Sequence, residues 1–196
     1  MRRLLPVLPA LLLAALFMAP AAQAAPITYR ANLDGPSEDP PVPSPGTGTA
    51  TVIYDSTAHT LFIDATFANL VGTTTAAHIH CCTTTPFLGT AGVATQTPSF
   101  IGFPLGVTSG TFTNTYDLTM LSSWNGAFVT ANGGTPASAE AVFANGLASG
   151  RTYFNIHSSF RPGGEIRGFL VPEPATLALL VLGAAGLALT RRRIRA

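Results

Sequence analysis

The 196-residue chain has no lysine, and only 10% of its residues are charged. All ten basic residues are arginines, and six of them sit at the extreme ends: Arg2, Arg3, Arg191, Arg192, Arg193 and Arg195. Between residues 25 and 170, four arginines face eight acids, a net of 4 − 8 = −4. A weakly acidic body without lysine has few cations to exchange for phosphate counterions, which excludes a nucleic-acid partner. Cysteine is almost absent too. The only two, Cys81 and Cys82, are adjacent, so no disulfide framework, zinc-finger spacing or haem spacing is present. No Gly-x-Ser-x-Gly elbow and no Gly-rich phosphate loop occurs. Asp34, Glu38 and Asp39 share one Pro-rich loop but lack calcium-loop spacing.

What the chain does have begins with its ends. Residues 1–24 read as a secretory signal peptide: Arg2-Arg3, an apolar run over 4–18, and the small-x-small site Ala22-Gln23-Ala24. Twin-arginine export is disfavoured, because no Ser precedes the pair and the arginines abut the apolar run. At the other end, residues 175–190 are uncharged. At about 1.5 Å per residue they reach about 24 Å, short of a hydrocarbon core of about 30 Å. Arginine snorkelling would make a marginal span. The order Pro172-Glu173-Pro174, apolar helix, Arg191-Arg192-Arg193 over residues 171–196 resembles the PEP-CTERM sorting signal. That resemblance implies a Gram-negative bacterium, signal peptidase and exosortase-type processing, transient membrane anchoring, and delivery to the cell surface or extracellular matrix. The plainer alternative is a retained C-terminal transmembrane helix.

The body, residues 25–170, carries 24 threonines, a β-favouring composition. Leu61, Ile63, Ala65 and Phe67 alternate with Thr60, Asp64 and Thr66, the period of a half-buried strand. Strands are expected at 27–33, 49–54, 60–67, 76–80, 110–117, 151–157 and 164–170, with residues 55–59 as a hairpin loop. One helix is expected after Thr135: Pro136 suits its first position, Glu140 favours its dipole, Ala139, Val142, Phe143 and Leu147 form its apolar stripe, and Gly150 ends it. A short helical turn is expected within 121–128. Residues 34–46 and 83–106 are loops. The expected fold is mainly β, an antiparallel β-sandwich with one short inserted helix.

Period two places His78 and His80 on one strand face, with Ile79 opposite. In residues 151–157, Phe154 and Ile156 share a face and leave Tyr153, Asn155 and His157 on the other. If these strands are neighbours, His78, His80 and His157 converge into a set that copper or zinc accepts. His59, in a turn, is read as solvated. Cys81-Cys82 leaves three options: a vicinal disulfide, an intermolecular link, or thiolates assisting the metal. The structural alternative makes the three histidines hydrogen-bonding residues beside a cysteine pair, with no cofactor.

The run from Tyr153 to Gly168, with Pro162-Gly163-Gly164 as its turn, and Ala77-His78-Ile79-His80 upstream resemble the CHRD domain, named for chordin, over roughly residues 27–170. The resemblance implies an all-β extracellular module without established enzymatic activity. Its motif maps onto His78, His80, Asn155, His157, Gly163, Gly164, Glu165 and Arg167. Where many members have Gly-Pro after His-x-His, this chain has Cys81-Cys82. The turn is expected to set Asn155 and His157 opposite Glu165 and Arg167, the latter two sharing a face. A likeness to copper–zinc superoxide dismutase rests on fold alone, and the four histidines here are too few for its dinuclear site.

Together these readings give a non-enzymatic, exported surface or matrix protein, with extracellular polysaccharide or matrix as its partner. The competing reading is a mononuclear copper or zinc protein, with redox activity left open.

Overall fold

The computed structural model describes residues 24–173, so the signal peptide, the 175–190 helix, Pro174 and the arginine cluster lie outside the described residues. Among the described residues eight strands form: β1 (Ile27–Asp34), β2 (Thr47–Asp55), β3 (Thr60–Ala68), β4 (Thr74–Cys81), β5 (Gly110–Asp117), β6 (Thr152–Ser158), β7 (Ile166–Phe169) and β8 (Val171–Pro172). A 3-10 turn (Leu121–Ser123) and two helices, α1 (Gly126–Ala131) and α2 (Pro136–Ala148), fill the β5–β6 connection. The expected antiparallel β domain is what the chain forms. Its layers are one continuous curled sheet, ordered β4-β6-β7-β1-β2-β3-β5, with β8 beside β1.

Alternation builds the core. Tyr29, Ala31 and Leu33 of β1, Ala50 and Val52 of β2, Leu61, Ile63 and Ala65 of β3, Ala77 and Ile79 of β4, and Phe154 and Ile156 of β6 join a single buried cluster. One face of the sheet therefore closes on itself. Helix α2 adds Ala139, Phe143 and Leu147 to that cluster. Thr135 caps it, its hydroxyl accepting from the Ser138 amide in a reciprocal capping box, with Pro136 at the first turn. Glu140 is not a dipole residue. It is buried, accepting from the Tyr54 hydroxyl at 2.9 Å and pairing with His59 Nδ1 at 2.8 Å. His59 is thus half exposed in its turn yet engaged, which corrects its reading as merely solvated.

The loop over 83–106 is ordered by β4. Its segment runs along the strand's free edge, with Cys81 N donating to Gly92 O, Ala94 N to Ile79 O, and Phe100 N to Ala77 O. It covers an edge that would otherwise be open to pairing.

Among the described residues, no helix is long and apolar enough to cross a membrane. Pro172 and Glu173 of the sorting triplet lie against β1: Pro172 pairs with Tyr29, and the Glu173 carboxylate accepts from Arg30.

Candidate metal centre

β4 and β6 are antiparallel neighbours, with His78 opposite Asn155, His80 opposite Tyr153 and Ala76 opposite His157. Two strands of period two thus bring three imidazoles to one sheet face, as the residue spacing requires once the strands pair. Their ring centroids stand 5.1 Å (His78–His157), 5.6 Å (His80–His157) and 5.9 Å (His78–His80) apart. One nitrogen from each ring lies within 4.8 Å of the others. Bonds of about 2.0–2.1 Å ask for an approach of about 3–4 Å, and 4.8 Å is the outer bound on the spread of the three nitrogens.

Each ring is oriented by a backbone carbonyl. His78 Nε2 donates to Pro98 O (2.8 Å), His80 Nδ1 to Ala91 O (2.9 Å) and His157 Nδ1 to Pro162 O (2.9 Å). A carbonyl only accepts, so these nitrogens carry the hydrogen, and the opposite nitrogens carry lone pairs. Those opposite nitrogens, His78 Nδ1, His80 Nε2 and His157 Nε2, are all buried without a hydrogen-bond partner. Burial holds His78 and His80 neutral, their pKa lowered to about 4, and it lowers that of His157 as well. An outer carbonyl that fixes the tautomer and leaves the other nitrogen free is how ligating histidines are held. An orphaned buried acceptor costs about 1–3 kcal/mol. Three together are comparable with a domain's whole stability of about 5–15 kcal/mol. The donor set therefore fits copper or zinc, for which neutral imidazole is suited.

The remaining motif residues surround this trio. Asn155 is 2% exposed, and its Oδ1 has no partner. Arg167 pairs with Asn155 across β6 and β7. Its guanidinium lies 4.8 Å from the Tyr153 ring centre, and Tyr153 stacks on His80 at 4.8 Å. Arg167 also donates to the Ser37 and Gly89 carbonyls. Glu165 takes a different direction from the one expected. It does not share Arg167's surroundings; its carboxylate accepts from Ser44, Ser158 and the Val71 and Gly72 amides. Burial would raise its pKa, but these hydrogen bonds outweigh burial and hold it below the ordinary carboxylate range. The turn frees Glu165 from strand parity, since β7 begins only at Ile166. Gly164 is the turn's fixed point: at φ 135°, a Cβ there would lie 2.5 Å from Asn155 Nδ2 and 2.6 Å from Glu38 Oε1. The Gly163 position, in contrast, is open.

The cysteines do not join the site. Cys81 and Cys82 form a vicinal disulfide, and neither thiol is free. Period two turns Cys81 to the core face, away from His78 and His80, where both sulfurs pack against Gly146 of α2. Thiolate ligation by Cys81 or Cys82 is therefore corrected, and the pair's bonding capacity is used within the chain.

Glu38 was missed as a site residue. It sits in the Pro-rich loop, 7% exposed, with Oε2 3.7 Å from Arg167 Nε and Oε1 unpartnered. Burial raises its pKa to about 7, against the lowering pull of Arg167. Five prolines around three acids signalled a fixed loop, but not its docking onto β6 and β7.

The CHRD domain model matches residues 29–170, which take in the sheet from within β1 to the end of β7, with its histidine and Gly-Gly motifs. The chain belongs to the CHRD domain family. A second model, the PEP-CTERM protein-sorting motif, matches residues 170–193. This CHRD protein is thus an exported protein, sorted and transiently membrane-anchored through an exosortase-type system. No curated protein and no solved structure matches the chain.

Proposed function

We propose that the protein is a non-enzymatic surface component whose CHRD domain holds one copper or zinc ion through His78, His80 and His157. The observation that carries this reading is the convergence of three carbonyl-oriented imidazoles whose lone-pair nitrogens are buried and unpartnered. When bound, copper would supply one-electron redox capacity, and zinc a Lewis acid. The chain's own part is to fix three tautomers, exclude bulk water, and keep the ligands neutral down to acid pH. The host is a Gram-negative bacterium, in keeping with the sorting signal.

The test is metal content by elemental mass spectrometry on the full chain after incubation with copper and zinc. The expected result is about one ion per chain, lost in the His78→Ala/His157→Ala double variant. A wild-type chain that holds no metal sinks the reading and leaves the histidines as structural hydrogen-bond donors.

A matrix role has its own support in the opposite half of the sheet. There Thr49, Thr66 and Thr111 align across β2, β3 and β5, all exposed. An exposed, largely uncharged hydroxyl face suits neutral extracellular polysaccharide. Sedimentation of the protein with insoluble polysaccharide, compared with a Thr49→Ala/Thr66→Ala variant, tests it, and equal sedimentation of the two would count against that face.

A further inference from the structure

A disulfide stabilises a fold chiefly by closing a loop of the unfolded chain. The Cys81–Cys82 bond joins neighbours and closes none, so loop closure does not account for it. The fold nevertheless makes room for it. A Cβ on Gly146 would lie 2.5 Å from Cys81 Sγ and 2.6 Å from Cys82 Sγ, so α2 carries a glycine where the sulfurs seat. Glycine within a helix is destabilising relative to alanine, and the seat is kept at that cost. The backbone around the pair is held without the bond: Cys81 N donates to Gly92 O, Thr83 N to Arg151 O, and Cys81 pairs with Thr152 of β6.

The two cysteines differ in cover. Cys81, the last residue of β4, is 4% exposed in the core, whereas Cys82, past the strand's end, is partly buried. A cavity of about 410 Å³ opens onto the pair, bounded by Phe128 and Ala131 of α1, Val142 of α2 and Val93 of the covering loop. That volume lies in the range of about 300–1,000 Å³ of small-molecule pockets. Val142 O stands 3.8 Å from Cys82 Sγ, which puts that sulfur at the α2 wall. No lining residue is charged, so an incoming thiolate meets no carboxylate there. The two lining asparagines donate their amides to backbone carbonyls, Asn125 to Val93 and Asn132 to Phe128. The reactive group of this wall is the disulfide, and its chemistry is attack by a thiolate.

We infer that this cavity is a thiol–disulfide exchange site, in which a low-molecular-weight thiol attacks Cys82 Sγ and Cys81 Sγ is the leaving sulfur. A bond forms between the incoming sulfur and Cys82 Sγ as the Cys81–Cys82 bond breaks. The electron pair of the broken bond stays on Cys81 Sγ, which takes up the proton that the incoming thiol gave up. A second molecule of the thiol attacks the incoming sulfur, and the two depart as a small disulfide. Cys82 Sγ keeps that electron pair and takes the second proton. Two thiols are oxidised, and the protein is reduced by two electrons and two protons. The site is independent of the three-histidine centre, which lies on the opposite face of β4.

The test uses the full chain with a chelator present, and 2-mercaptoethanol and its disulfide as probes. A brief pulse of 2-mercaptoethanol, quenched with N-ethylmaleimide, is expected to reduce the wild type while circular dichroism stays that of the folded chain. Tandem mass spectrometry of the trapped mixed disulfide is expected to place mercaptoethanol on Cys82 and maleimide on Cys81. The reverse placement, or no reduction of the folded chain, overturns the inference. Single thiols give a second arm. Cys81→Ser is expected to take up an adduct from the disulfide probe about tenfold faster than Cys82→Ser, with the two rates converging in urea. Equal rates in the folded variants overturn the order of attack. Ala131→Trp, added to Cys81→Ser at an exposed position of the cavity wall, is expected to slow that uptake several-fold. An unchanged rate would mean that the thiol does not arrive through this cavity.

Discussion

The two halves of the curled sheet use the same alternation for opposite ends. In β2, β3 and β5 one face is core and the other is wet, carrying Thr49, Thr66, Thr111 and Thr113. In β6 every residue is buried, and so are the last five of β4. The outer face of that half is covered by the 83–106 loop and by the Pro-rich loop that brings Glu38. A wet polar residue is satisfied by solvent and says little about purpose. A covered one must find a partner, at about 1–3 kcal/mol for each failure. His78, His80, His157, Asn155 and Glu38 fail in one place, and that concentration separates a site from a surface.

The largest effect is expected at Glu165, on the covered half. It is fully buried and accepts two hydroxyls and two backbone amides. Glu165→Gln removes the charge and turns an amide NH₂ toward two of the four donors, a hydroxyl and a backbone amide. The expected loss is about 3 kcal/mol or more, measured as a fall in the urea midpoint with unchanged slope. A loss under about 1 kcal/mol would mean that this network does not hold the β6–β7 turn.

Acidification is expected to separate the halves next. His78 and His80 titrate at about 4 in the fold, and His157 is also lowered, by burial in each case. An unfolded chain takes up these protons near 6.5. Between those values the unfolded state binds more protons, so the metal-free protein loses stability as pH falls from about 6.5 toward 4. Glu38 acts in the opposite sense. Its pKa is raised to about 7, so its contribution is present at low pH and lost as pH rises through that value. Three imidazoles outweigh one carboxyl, and the net slope remains destabilising in acid. Urea midpoints against pH should show this slope steepened in Glu38→Gln and flattened in His78→Leu. A flat profile in the wild type would mean that the imidazoles reach water.

Much of the covered half was legible in the sequence. His-x-His and the Asn-x-His of β6 each fix a face by parity, and only the adjacency of β4 and β6 had to be assumed. Thr135-Pro136 announced α2, and Pro162-Gly163-Gly164 announced the turn. The parts not legible depend on distant pairing. Glu38 meets Arg167 across 129 positions, and His59 meets Glu140 across 81, contacts no local pattern encodes. Cys81 illustrates the reverse. The same parity that gathered the histidines turns its neighbour to the core, so density of ligand types along the chain overstated the site. Glu165 escaped its expected face because the residue precedes the strand, where parity has not yet begun.

The smallest effect is expected on the wet half. The Thr66 hydroxyl meets that of Thr49 at 3.0 Å, but both residues are exposed, and water replaces the bond if it is lost. Thr66→Ala should therefore change stability by no more than about 0.5 kcal/mol, set by β propensity rather than by the hydrogen bond. The informative comparison is with Glu165→Gln in the same denaturation experiment: one change disturbs a hydrogen-bonded group under cover, the other removes a hydroxyl that water can replace. A cost for Thr66→Ala approaching that of Glu165→Gln would mean that the threonine face is covered in solution, by a second copy of the chain. Its dependence on protein concentration would then identify that cover.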